Sequence, residues 1–111
     1  MSLDLWLTID AGGDEPAEVG DLNWNYTHNV NPMWRLLFGG QSLGQYLEGK
    51  TCAETKDCLA LAVRTMRAFP EVFKPLNPEN GWGDYDGALV ALERVAEAAA
   101  KYPKASWMVS R

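Results

Sequence analysis

Apolar and polar residues alternate at the start of the chain. Leu3, Leu5, Leu7 and Ile9 are separated by Asp4, Trp6 and Thr8. A period of two predicts a strand with one buried face. Ala11-Gly12-Gly13-Asp14-Glu15-Pro16 reads as a turn. In residues 17–27, Val19, Leu22, Trp24 and Tyr26 favour extended chain that could pair with the first strand, whereas Gly20 and the Asn and Asp residues oppose it.

The pattern then becomes helical. Asn31-Pro32 predicts a helix start, with Asn as cap and Pro at the first helical position. That helix carries Met33, Trp34, Leu36 and Leu37 and stops at Gly39-Gly40. Ser42 with Gln45, and Thr51 with Glu54, are capping-box pairs that start two further helices. The first is short, holds Leu43, Tyr46 and Leu47, and ends near Gly49. The second runs to about Phe69, where Pro70 ends it. Its stripe is Leu59, Ala62, Val63 and Met66, the i, i+3, i+4, i+7 spacing of a buried helix face. Pro75, Pro78 and Asn80-Gly81 predict a loop. Asp84 then caps a last helix from Tyr85 to Tyr102, with the stripe Ala88, Leu89, Leu92, Val95, Ala96 and Ala99, closed by Pro103. Residues 105–110 predict a final short strand. The expectation is one α+β domain over residues 1–111. A small antiparallel sheet of two to three strands, with the N- and C-terminal strands adjacent and the order 2-1-3, packs on three to four helices.

Charge changes the picture at one point. Residues 1–34 hold six acids and no Lys or Arg, whereas residues 35–111 hold nine acids and ten bases, giving −6, +1 and a total of −5. An acidic chain without a basic cluster is expected to have neither nucleic-acid nor anionic-membrane partners. No apolar run approaches the ~20 residues of a membrane span, and the start of the chain lacks the basic residues of a secretory signal. The two cysteines, Cys52 and Cys58, fall on one helix six residues apart, so their thiols face different ways and a disulfide is not expected. With a single His, they form no zinc pattern. A cytoplasmic protein without metal or cofactor is the expectation.

Two segments carry candidate chemistry. Asn25-Tyr26-Thr27-His28-Asn29 leads into a helix start, and contains the only histidine. Asn25, Thr27, His28 and Asn29 offer hydrogen-bond donors and acceptors, and amides converging at a helix N-terminus favour an anion. The plainer alternative is that these side chains make turn and cap bonds. Gly81-Trp82-Gly83-Asp84-Tyr85 is the second segment. Trp82 and Tyr85 could stack on a flat ligand and Asp84 could bind it. Alternatively Asp84 is only a cap and Trp82 closes the core edge. Trp34 follows the first segment and joins the candidate set. Five tryptophans are many for 111 residues, and they suit either an interface or an aromatic core. Phe38-Gly39-Gly40-Gln41-Ser42 lacks the Lys and preceding strand of a phosphate loop.

Three stretches carry a resemblance: Leu3–Asp10 with Gly12-Gly13, then Asn25–Asn29, then Leu76-Asn77-Pro78-Glu79-Asn80-Gly81-Trp82-Gly83, followed by Val109-Ser110-Arg111. In these the chain resembles a group of small uncharacterised proteins of actinobacteria and their bacteriophages. Their Thr-His-Asn and Gly-Trp-Gly segments match Thr27–Asn29 and Gly81–Gly83. The stretch from Gly39 to Thr51 falls outside the likeness. It implies a bacterial or phage setting and no activity. The expected function is binding of a small ligand, nucleotide-like in the first instance, by the two segments together. The alternatives are a homo-oligomeric or host-protein interaction module, with Trp anchors, and a small hydrolase using His28 with Asp84.

Overall fold

A computed structural model describes residues 2–10, 12–20, 22 and 24–111. Ala11 of the expected turn, and Asp21 and Asn23 of segment 17–27, lie outside the described residues. Strand β1, Ser2–Ile9, is the centre of an antiparallel sheet. Strand β4, Ser106–Ser110, pairs with it from Asp4 to Thr8. One edge of β1 is therefore taken. Strands β2, Ala17–Glu18, and β3, Trp24–Thr27, share the other edge. The expected order, with the first strand between the other two, is observed.

Segment 17–27 is two strands rather than one, for a reason visible in the register. Thr8 faces Glu18 and Leu5 faces Trp24. The chain thus carries three more residues between β2 and β3 than a continuous ladder would hold. Leu3, Leu5 and Leu7 are buried, with Asp4 exposed between them, as alternation requires. Ile9 departs from that expectation and is exposed. The register with β4 ends at Thr8, so Ile9 lies beyond it.

Among the described residues five α-helices pack with this sheet: α1 Asn31–Leu37, α2 Leu43–Leu47, α3 Cys52–Ala68, α4 Pro70–Phe73 and α5 Tyr85–Lys101. Both capping boxes form, at Ser42 with Gln45 and at Thr51 with Glu54. Among the described residues the sheet has four strands and there are five α-helices, one more of each than the upper end expected, because segment 17–27 splits and a helix follows Pro70. Two further expectations need correction. Asn31 is not a cap but the first residue of α1. A 3-10 turn over His28–Val30 precedes it, and Thr27 Oγ1 accepts from the Asn29 amide at 3.2 Å to cap that turn. Residues 70–76 are not a plain loop but α4 followed by a 3-10 turn over Lys74–Leu76. Pro70 ends α3 and, with its fixed φ, also starts α4.

Two indole groups fasten the layers together. Trp107 Nε1 donates to Thr55 Oγ1 at 2.9 Å, joining β4 to α3 in the core. Trp24 Nε1 donates to the Ala91 carbonyl at 2.8 Å, joining β3 to α5. Burying an aromatic ring is favourable only if its N–H finds a partner, and both do. The amides of Cys52 and Ala53, which lack partners inside α3, donate to the carbonyls of Ala105 and Pro103 at 2.8 Å each. The start of α3 is thereby sewn to the start of β4. Both stripes are buried as expected in their main positions: Leu59, Ala62, Val63 and Met66 on α3, and Ala88, Leu92, Val95 and Ala99 on α5. No described helix is long and apolar enough to cross a membrane.

Candidate functional site

β3 runs along the edge of the sheet, and its alternation sorts its side chains. Trp24 points into the core. Tyr26 stands edge-on to Trp24, with ring centroids 6.2 Å apart. Asn25 is exposed, opposite Asp4 in the register. Its Nδ2 donates to Asp4 Oδ1 at 2.7 Å and to Ser2 Oγ at 3.1 Å. Two acceptors on β1 therefore fix the orientation of this amide and leave its carbonyl oxygen free of protein bonds among the described residues.

The loop before α5 is shaped by its own side chains. Asn77 Oδ1 accepts from the Tyr85 amide at 2.8 Å, and Asn80 Oδ1 accepts from the Trp82 amide at 3.0 Å. Asp84 caps α5 by accepting from the Gly87 amide at 2.7 Å. Such local bonds are the usual work of Asn and Asp in turns. They hold Trp82 outward, 69% exposed, the most exposed large apolar side chain among the described residues.

Two glycines let this loop and the β3 segment touch. At Gly83, φ is +92°. A Cβ there would lie 2.7 Å from Thr27 Cγ2 and 3.0 Å from Val30 Cγ1. At Gly87, a Cβ would lie 2.4 Å from the Tyr26 hydroxyl oxygen. Only glycine permits this approach of backbone to side chain. The Tyr26 phenol is held above its ordinary pKa. Burial is the main cause, the Asp84 backbone hydrogen bond opposes it, and the Asp84 carboxylate adds to it.

The result is a cleft of about 730 Å³. Asn25, Thr27 and Asn29 line it from one side and Asn80 and Trp82 from the other, with Ser2 and Tyr26 completing the wall. Four candidates from two distant segments thus meet in one cleft: Asn25, Thr27, Asn29 and Trp82. Ser2, Tyr26 and Asn80 were not among the candidates. Ser2 enters through its pairing opposite Thr27. Asn80, within the Asn-Gly turn, was read only as a loop marker.

The other four candidates sit elsewhere. Trp34 is 1% exposed and belongs to the core, because it falls on the inward face of α1 beside Met33. Tyr85 is also in the core, with its hydroxyl donating to the Met66 carbonyl, and it offers no stacking wall. Asp84 serves as the helix cap. His28 is half-buried in the 3-10 turn, and neither it nor Asp84 lines the cleft. The tryptophans divide accordingly. Trp24, Trp34 and Trp107 are buried, Trp6 is half-buried and Trp82 is exposed.

Among the described residues no lysine, arginine or carboxylate lines the cleft. The Asp4 carboxylate is tied to it through Asn25. Among the described residues no group of three or more His, Cys, Asp or Glu comes together as a metal site. The Cys52 thiol is buried, which pushes its pKa up to about 11 and keeps it a thiol. The arrangement can stack on one face of a ligand and exchange hydrogen bonds with its edge. It presents no nucleophile paired with a base. Compared with known proteins, the chain matches no family model, no curated protein and no solved structure.

Proposed function

We propose that the protein binds a small ligand in the cleft between β3 and the loop 77–83, and that it works by binding rather than catalysis. One observation carries this reading. Two polar segments about fifty residues apart in the chain converge on one cleft, with an exposed tryptophan on its wall. A large exposed aromatic side chain beside converging polar groups is the usual composition of a ligand pocket, and the volume falls within the common ~300–1,000 Å³. The lining suits an uncharged moiety. A phosphate would find no cation among the described residues of the wall and would approach Asp4. The reading is tested by thermal shift with a panel of metabolites. A true ligand at a hundred times its Kd adds about 2.7 kcal/mol to stability, and Trp82→Ala removes that shift. No shift of the native protein with any compound would refute it.

A second reading has its own support. The groove between α3 and α5, about 440 Å³, is lined by Ala60, Val63, Ala96 and Ala100. Arg64 and Arg67 flank it on the α3 side, and Glu93 and Glu97 on the α5 side. Arg67 is paired with Glu93 of its own chain at 2.6 Å, and a second copy related by a two-fold axis along this groove would set each Arg64 toward the partner's Glu97 side. Arg64→Glu should then dissociate the dimer in sedimentation, and adding Glu97→Arg should restore it. A native protein that sediments as a monomer at high concentration removes this reading.

A further inference from the structure

The cleft's chemistry goes further than a generic small ligand, and the step rests on the cleft reading above. We propose that it takes a neutral saccharide. Three features point there together. First, apart from the Trp82 indole N–H, every polar side-chain group on the wall among the described residues is an amide or a hydroxyl. These groups both donate and accept, or present a donor beside an acceptor. Sugar hydroxyls have the same dual character, so each can be matched without burying a charge. The Asn29 side-chain carboxamide, Asn80 Nδ2 and Asn25 Oδ1 make no protein hydrogen bond among the described residues, and are available for this.

Second, one ring of the wall is freely exposed. Trp82 is 69% exposed, whereas Tyr26, the other ring on the wall, is half-buried and stands edge-on to Trp24, and Tyr85 is buried in the core. A flat base is best held between two rings or a ring and an apolar wall. A pyranose needs only one, because one of its faces carries C–H groups and the other edges carry hydroxyls. Polarised C–H groups meet the negative face of the indole favourably. The opposite walls can then be polar, as they are here.

Third, the charge excludes close competitors. Among the described residues no cation lines the cleft, and the Asp4 carboxylate accepts a hydrogen bond from Asn25 on its wall. Nucleotides, sugar phosphates and acidic glycans are therefore disfavoured relative to neutral sugars. The fixed Asn25 amide adds selectivity. Its two donated bonds lock the side chain before ligand arrives, so little rotamer freedom is lost on binding.

The test follows tryptophan emission of the whole chain. Trp82 is the exposed indole, so a blue shift on titration reports the cleft. The probes are neutral hexasaccharides of glucose, N-acetylglucosamine, mannose and galactose, with adenosine and uridine as uncharged flat competitors. The expected result is a saturable shift with at least one hexasaccharide. Calorimetric titration, which does not need the Trp82 signal, should then show affinity weakened about tenfold or more by Trp82→Ala and much less by Trp82→Phe. Asn25→Ala should weaken it several-fold. Because Trp82 is exposed, its substitution should leave the circular dichroism spectrum and urea midpoint unchanged. A shift with the nucleosides and with no hexasaccharide overturns the saccharide assignment and leaves the cleft as the binding site. Silence with both, together with no thermal shift from any metabolite, overturns both readings. A saccharide response that survives Trp82→Ala places the site elsewhere and overturns this proposal.

Discussion

Gly83→Ala tests whether the two loops are pressed together as described. The substitution acts in two ways. An alanine at φ +92° costs about 1–2 kcal/mol of backbone strain, less about 0.4–1 kcal/mol regained from a stiffer unfolded chain. The new methyl group also overlaps its neighbours. Its Cβ would sit 2.7 Å from Thr27 Cγ2, well inside the ~3.5–4.0 Å optimum for carbon atoms. Relief requires the loop to move away from β3, and overpacking of this kind costs roughly 1–3 kcal/mol. Gly81 is the internal control. It too has a positive φ, +76°, but a Cβ there meets nothing within 4 Å. Gly81→Ala should therefore cost about 1 kcal/mol or less, and Gly83→Ala about 2–4 kcal/mol. Urea unfolding followed by circular dichroism measures both. Thr27→Ser removes the offending Cγ2 and keeps the capping oxygen, so it should recover about 1 kcal/mol in the Gly83→Ala background and none in the native one. Equal losses for the two glycine variants, or no rescue by Thr27→Ser, would show that the loops do not meet as described. Ligand binding should fall with Gly83→Ala and persist in Gly81→Ala, since only the former moves Trp82 away from Asn25.

The remaining predictions concern the frame that holds the site. Thr55→Val keeps the shape of a fully buried residue and leaves Trp107 Nε1 without its acceptor. It should cost about 1–3 kcal/mol in the native chain and clearly less in a Trp107→Phe background, and equal costs in the two would refute the pairing. At Glu54, hydrogen bonds from the Thr51 amide and hydroxyl, aided by Lys50, hold the carboxyl below its ordinary pKa of 4.5. A depressed carboxyl contributes stability that is complete above the unfolded value and is lost as pH falls through the folded one. The difference in urea midpoint between the native chain and Glu54→Gln should thus be constant from pH 7 down to about 4.5 and shrink below it. A difference that persists unchanged into strong acid would contradict the capping geometry. Cys52, buried and held as a thiol, should react with a disulfide reagent at neutral pH only as fast as the protein unfolds, and immediate labelling at that position would refute its burial.

Much of the fold was legible in the chain because its signals are local. A capping box needs only residues three apart, so Ser42 with Gln45 and Thr51 with Glu54 marked two helix starts correctly. Asp84 marked a third, and Pro70 marked the end of α3. Period two in Leu3–Leu7 found the central strand, because alternation is a property of one strand by itself. Elements whose form depends on a partner were less legible. The split of segment 17–27 follows from a register against β1. Nothing within 17–27 records that register. The role of Pro70 as the start of α4 also depends on how the chain turns after it.

The site divides along the same line. Composition identified two segments rich in amides and aromatics, and the chain by itself determined that each would form a turn feeding a helix. It could not say which side chains would face the cleft. On a 3-10 turn or the first turn of a helix, one residue of displacement rotates a side chain by about 100° or more. That rotation turns Trp34 and Tyr85 into the core and His28 off the cleft wall while keeping Asn29 on it, whereas Asn25 and Thr27 are sorted by the alternation of β3 and Trp82 by the turns of its loop. Only the tertiary structure decided that the two segments meet, through the bare backbones of Gly83 and Gly87 against Thr27, Val30 and Tyr26. Local propensity shapes a turn through its own hydrogen bonds. Contact between turns fifty residues apart depends on packing of the whole core, which no single window of sequence contains.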